Sequence, residues 1–273
     1  MAYGMARWRL LNTGPASGAT NMAIDEAILR AVAKGLCPPT LRLYAWEPPC
    51  LSLGQAQSFS QVNWDACVAR GYTVVRRPTG GRAILHADEL TYSVTAPETE
   101  PRVQGGIVES YRRLSEGLLE GLRLMNVPGI EAHHPEAEKA PTSTASQGPV
   151  CFEEPSTYEI TVAGKKLIGS AQFRREGVVL QHGTLPLVGD IARICDVLTP
   201  PPDPARVRAR ASTVERVLGR AVSFDEAAEA IAQGFTSALN VEWAPGALAS
   251  PERDWADELR RTKYATDEWN RRL

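Results

Sequence analysis

Apolar residues recur along the chain with two periods, and the changes between them mark its elements. Residues 7–12 alternate apolar and polar, as an edge strand does. From Thr20 to Ala33 the spacing becomes helical: Ile24, Ile28, Ala31 and Val32 fall on one face. Asn21 and Asp25 stand near the start of this helix, where side chains can face a cleft; capping and complementarity to the helix dipole account for them as well and are the preferred reading. Pro38-Pro39 ends this region, and strands follow at Leu41–Trp46 and Cys50–Gly54. So short a separation, across Pro48-Pro49, predicts an antiparallel pair. Gln61–Arg70 reads as a short helix through Val62, Ala66 and Val68.

The densest polar punctuation comes next, in Arg76–Ser93. Tyr72–Val75 is a β-branched run that leads into Arg76 and Arg77. The turn Pro78-Thr79-Gly80-Gly81 follows, then Arg82, a short strand Ala83–Leu85, His86 and a second strand Leu90–Thr95. Paired glycines allow backbone N–H groups to approach a ligand, and arginines suit an anionic or carbonyl-bearing one. A hairpin with a Gly-Gly turn is the plainer reading. Beyond the polar loop Pro97–Gly106, a helix runs to about Met125 on a stripe of Ile107, Tyr111, Leu114, Leu118 and Leu122. Its Gly117 and Gly121 predict close approach of another element. Residues 133–149 are poor in apolar side chains and read as a mobile loop. A β meander follows: Tyr158–Val162, a turn at Ala163-Gly164, Lys165–Phe173, and Val178 to about Leu187. After Pro200-Pro201-Pro202 the chain turns helical, with capping boxes at Ser212/Glu215 and Ser223/Glu226. The fold class is therefore α+β, a mixed or antiparallel sheet flanked by helices. One catalytic domain is expected over residues 1–250, with 251–273 a helical tail packed on it.

Composition narrows the chemistry by exclusion. A net charge of −2 over 273 residues leaves no electrostatic footprint for nucleic acid or an anionic membrane. No apolar run reaches the length of a membrane span, and Met1–Arg9 lacks the pattern of an export signal. The chain reads as cytoplasmic. Cys37, Cys50, Cys67, Cys151 and Cys195 are odd in number and none are paired as CxxC, which fits reduced thiols rather than disulfides or zinc. The adjacent His133 and His134 point to different sides with no third ligand nearby, so no metal site is expected.

Cys151, in GPVCFEEPSTYEI, stands where the loop meets a strand and is accessible to a substrate. An ammonium near a thiol favours the thiolate, and the next strand carries Lys165 and Lys166 on opposite sides. Periodicity does not choose between them. Gly169–Ala171 leave room for a ligand beside that strand, and His86 and His182 are candidate bases or orienting groups.

RRPTGGRAILH, GKKLIGSA and QHGTLPL, in that order, resemble the biotin/lipoate protein ligase superfamily over roughly residues 7–245. CFEEPSTYEI, GKK, GSAQ and KYATDEW resemble its LipM-type octanoyltransferases. The resemblance implies a mixed α/β catalytic domain with an acyl tunnel and no cofactor. It implies octanoyl transfer from acyl carrier protein to Cys151, then to a lysine of a lipoyl domain or the glycine cleavage H protein. Lys166 matches the family lysine, expected to lower the pKa of Cys151 and hold the acyl carbonyl. Arg76, Thr79, Gly80, Gly81, Arg82, Ala83 and His86 are expected to line the acyl and carbonyl end. Gly169, Ala171, His182, Gly183 and Thr184 are expected to close it. The alternative within the superfamily is an ATP-dependent lipoate-protein ligase, against which stands Gly-Gly-Arg in place of the ligases' three glycines.

Overall fold

A computed structural model describes residues 3–133 and 159–273. The mobile-loop reading of 133–149 and the candidate nucleophile Cys151 fall outside the described residues, apart from the backbone of His133. The chain begins with β1 (Ala6–Ala16), α1 (Gly18–Ala33) and β2 (Thr40–Trp46). Then come β3 (Cys50–Leu53), α2 (Trp64–Ala69), β4 (Thr73–Arg76), β5 (Ile84–His86) and β6 (Glu89–Pro97). Helix α3 (Ile107–Leu124) leads to β7 (Ile130–His133), and past the undescribed stretch lie β8 (Glu159–Val162), β9 (Lys165–Arg175) and β10 (Val178–Pro186). The last third holds α4 (Pro204–Arg210), α5 (Val214–Leu218), α6 (Phe224–Leu239), β11 (Val241–Pro245), α7 (Ser250–Leu259) and α8 (Asp267–Asn270).

The strands form a mixed eight-stranded sheet, in the order β11-β1-β2-β6-β10-β9-β8-β7, and a three-stranded sheet β4-β3-β5. The meander β8-β9-β10 pairs antiparallel as its turn residues predict. One face of the large sheet packs under α3 and α6, with Leu43, Tyr92 and Ile168 meeting Leu118, Ile231 and Phe235. The two helices approach closely because of glycine. A Cβ on Gly117 would lie 2.7 Å from the Phe235 ring, and one on Gly234 would collide with backbone atoms of Gly117 and Gly121. On the other face α1 presents Met22, Ala27 and Ile28 to Leu11, Tyr44 and Leu180.

Several expectations give way to long-range pairing. β1 is not an edge strand; β11, missed because it is short and ends in Ala-Pro, lies parallel beside it. β2 and β3 do not pair, since the Pro48-Pro49 corner carries the chain out of one sheet and into the other. The Gly-Gly turn does not close a hairpin either: β4 and β5 flank β3, one parallel and one antiparallel. Ser17, not Asn21 or Asp25, caps α1 by accepting from Thr20 N–H. Thr213, one residue after Ser212, caps α5, whereas Ser223 caps α6 as predicted. The C-terminal segment is tied in by buried polar contacts. Glu252 of α7 receives both ends of the Arg9 guanidinium at 2.6 and 2.8 Å. Glu26 of α1 accepts from Lys263 and Tyr264 at 2.6 and 2.5 Å.

Candidate active site

Side chains alternate along a strand, so the register between strands decides which of them share a face. Tyr44, Thr91, Thr184 and Gly169 form one row across β2, β6, β10 and β9, and Arg42, Ser93, His182 and Ala171 form the next. The small sheet stands opposite with Ile84 and His86, and the turn after β4 adds Arg77 and Gly81. Between the two sheets lies a cleft of about 510 Å³. Small residues on β9 open its floor. Gly183 serves the same packing from behind, because a Cβ there would come within 2.6 Å of the Gly169 carbonyl, the Ser170 hydroxyl and the Tyr92 ring.

Two hydrogen-bonded relays meet at the buried Arg77. In the first, Arg77 Nε donates to Thr79 Oγ1 at 3.3 Å, and Thr79 meets His182 Nε2 at 2.8 Å. His182 Nδ1 then reaches Asp25 Oδ2 at 3.4 Å. Asp25, fully buried, also accepts from Arg42 at 2.7 Å and from Tyr44 and Ser93 at 2.9 Å each. Burial would raise its pKa, but Arg42 and His182 together hold the carboxyl below its usual range. Burial lowers His182 below its usual range despite the opposing pull of Asp25. The pair is therefore carboxylate and neutral imidazole, with the His182 proton on Nδ1 and Nε2 accepting from the Thr79 hydroxyl.

In the second relay Arg77 Nη1 donates to Ser52 Oγ at 2.8 Å, and Ser52 meets His86 Nε2 at 2.7 Å. His86 Nδ1 reaches Glu89 Oε1 at 2.8 Å. The His86 ring stacks on Trp46 with centroids 3.9 Å apart, and Trp46 Nε1 donates to Thr91 Oγ1 at 2.8 Å. The side chains of the cleft wall thus hold one another in place. Their polar atoms face away from the space between the sheets, into these relays.

Of the residues singled out in the sequence, Gly81, His86, Gly169, Ala171, His182, Gly183 and Thr184 line the cleft. Thr79 and Ala83 are buried behind its wall, Gly80 is exposed, and Arg82 is half-exposed with its carbonyl accepting from Arg77. Arg76 points elsewhere. Its guanidinium donates to the carbonyls of Gly54, Gln57, Asn270 and Arg272, and its backbone N–H to Asn270 Oδ1. Adjacent strand residues face opposite ways, so with Arg77 turned to the cleft Arg76 must turn to the C-terminal segment. It anchors the C-terminal segment, exchanging hydrogen bonds with Trp269 of KYATDEW, while Arg77 is the arginine that lines the cleft.

Lys166 reaches the cleft side of the sheet through a bulge. Ile160 pairs with Ile168 but Thr161 pairs with Lys166, leaving Leu167 as the extra residue. Ile160 and Ile168 belong to the core under α3 and α6. Thr161 and Lys166 therefore face the other way, toward the side of Gly169 and Ala171. The Lys166 ammonium is buried and pairs with Glu159 at 2.6 Å. No alternation rule could have chosen Lys166, because the bulge breaks the alternation.

Sequence reasoning missed Arg42, Tyr44, Trp46, Ser52, Arg77, Glu89 and Thr91, and assigned Asp25 to capping rather than to the cleft. For Asp25 a signal existed: with Ile28 and Val32 it occupies spacing i, i+3, i+7, a carboxylate on an apolar stripe. Among the described residues no group of three or more histidine, cysteine or carboxylate side chains could hold a metal ion. None of their helices is long and apolar enough to cross a membrane.

The model of the lipoyl protein ligase A/B catalytic domain family matches residues 17–236. Octanoyltransferase LipM of Kyrpidia tusciae is 47% identical over 277 residues, covering 98% of this chain and 100% of that one. Among solved structures, lipoate-protein ligase A bound with ATP superposes with a TM-score of 0.78 at 26% identity, covering 98% of this chain and 99% of that one. A bi-partite lipoate protein ligase from Thermoplasma acidophilum, studied with its E2 lipoyl domain, gives 0.77 at 26% identity over 98% of this chain and 97% of that one. The chain belongs to the lipoyl protein ligase A/B catalytic domain family.

Proposed function

We propose that the chain is a cytoplasmic octanoyltransferase that works through a thioester on Cys151. The Cys151 thiolate attacks the carbonyl of octanoyl-acyl carrier protein; the new C–S bond forms as the carrier thiolate leaves and takes a proton. A lysine amine of a lipoyl domain or the glycine cleavage H protein then attacks. Its C–N bond forms, the C–S bond to Cys151 breaks, and the amine gives up a proton. Both steps start from an activated thioester and need no ATP. Lys166 supplies a cation for thiolate and oxyanion, and the cleft between the sheets takes the acyl chain. Each methylene buried there contributes about 0.8 kcal/mol, enough to favour a chain that fills the space.

The bulge that turns Lys166 to the side of Gly169 and Ala171 is the observation that carries this reading. Burial also pushes the thiols of Cys37 and Cys50 up to about 12 and that of Cys67 to about 11, so these three are not thiolates at neutral pH. Intact-protein mass spectrometry with octanoyl-carrier protein tests it. An octanoyl adduct is expected without ATP and is expected to vanish in Cys151→Ser. Strict dependence of transfer on ATP and Mg²⁺ would instead make the chain a ligase, the reading that its likeness to the ATP-bound ligase favours.

A further inference from the structure

Glu89 opens β6 and is 5% exposed, yet it is not part of the cleft lining. It borders a separate groove with Pro186, Val188 and Thr213. Its oxygens nevertheless gather side chains that do line the cleft. Oε1 accepts from His86 Nδ1 at 2.8 Å and from the Thr91 hydroxyl, and Oε2 accepts from the Thr184 hydroxyl. Thr91 in turn holds the Trp46 indole, which stacks on His86. One carboxylate thus fixes, from behind, an imidazole, two hydroxyls and, through one of these, an indole.

We infer that Glu89 is a positioning residue of the acyl cleft, setting the surface against which the acyl chain packs. The inference rests on the acyl-transfer reading above. The arrangement distinguishes positioning from a base. Every contact Glu89 makes toward the cleft is as an acceptor from a side chain that lines it, so it touches the cleft only through those groups. What the wall requires is an acceptor at the Oε1 position, for His86 and Thr91. The Oε2 position can be filled by a donor, because a threonine hydroxyl can also accept. Glutamine, with its carbonyl at Oε1 and its NH₂ toward Thr184, meets both requirements. Alanine meets neither.

The test compares wild type, Glu89→Gln and Glu89→Ala with hexanoyl-, octanoyl- and decanoyl-carrier protein as donors. The Gln variant is expected to stay within about threefold of wild type. The Ala variant is expected to raise the octanoyl-donor KM about tenfold, lower kcat less, and flatten the preference among chain lengths. Ring ¹⁵N NMR supplies a readout that does not require turnover, and only four histidines need assignment. His86 is expected to carry its proton on Nδ1 in wild type and the Gln variant, and to become a mixture of tautomers in the Ala variant. A Gln variant as impaired as Ala would overturn the inference in favour of a role for the charge. So would an Ala variant with unchanged KM and length preference. Should Glu89→Ala fail to fold, Thr184→Val removes one donor at nearly constant volume and is expected to raise the donor KM severalfold; no change there also counts against positioning. If wild type transfers none of the acyl groups, the acyl reading fails while the His86 tautomers still decide whether Glu89 holds the ring.

Discussion

Asp25 and Glu89 are two buried carboxylates beneath one cleft, in nearly the same local geometry. Each faces the Nδ1 of a cleft imidazole, whose Nε2 meets a hydroxyl that accepts from Arg77. They differ in what else surrounds them. Asp25 has the fully buried Arg42 guanidinium at 2.7 Å, with Tyr44 and Ser93 in support. Glu89 is held by the hydroxyls of Thr91 and Thr184 and by His86. A full charge opposite Asp25 locks α1 to β2, β6 and β10, whereas dipoles around Glu89 orient side chains of the cleft. The same motif thus serves stability on one side of the cleft and shape on the other.

The largest expected effect breaks the pair that makes them different. Arg42→Met leaves the Asp25 carboxylate buried without its cation, which costs about 3–5 kcal/mol. Glu89→Gln keeps every neighbour of Glu89 hydrogen-bonded and should cost at most about 1 kcal/mol. Urea unfolding of the two variants reads both numbers. Replacing both partners, Arg42→Met with Asp25→Leu, should recover much of the loss, because two apolar groups leave no orphaned charge. Equal losses in Arg42→Met and Glu89→Gln would mean that charge does not separate the two sites.

Acid sharpens the comparison next. Burial depresses His182, so the unfolded chain takes up its proton near pH 6.5 while the folded protein still refuses it. Stability from this group is complete above about pH 6.5 and erodes as pH falls below it. The depressed Asp25 carboxyl adds a second loss at lower pH, below its unfolded value and through its folded one. Below pH 6.5 the slope contributed by this one proton is bounded by about 1.4 kcal/mol per pH unit. Unfolding midpoints at pH 7, 6 and 5 measure it. A slope unchanged in His182→Asn would assign the proton uptake to another group.

Local signals brought much of this molecule within reach of its sequence, and non-local ones did not. Helices α1 and α3 follow their apolar stripes to within two residues. Gly117 and Gly121 point to close packing of another element, and that element is α6. The motifs RRPTGGRAILH and QHGTLPL do face each other across the cleft. What escaped depends on which face of a strand meets which neighbour. Arg76 and Arg77 are equivalent in any pattern, and only the pairing of β4 with β3 decides which one turns inward. Lys166 needed a bulge that leaves no mark in composition. Glu89 holds His86 and Thr91 from nearby in sequence but Thr184 from far away, and only the pairing of β6 with β10 brings the three together.

The smallest effect concerns the two hydroxyls that join the relays to Arg77. Thr79→Val removes the bonds to His182 Nε2 and Arg77 Nε at nearly constant volume, at a residue 1% exposed. A cost of about 1–2 kcal/mol follows. Ser52→Ala removes the partner of His86 Nε2 and one of two Arg77 Nη1 bonds, but Nη1 keeps the Ser52 carbonyl at 3.0 Å. Its cost should be nearer about 1 kcal/mol. Denaturant melts of the two variants rank them, and the expected order is Thr79→Val above Ser52→Ala. The reverse order would show that the His86 relay, not the His182 relay, is coupled to the global fold, and the division of labour between Asp25 and Glu89 would have to be exchanged.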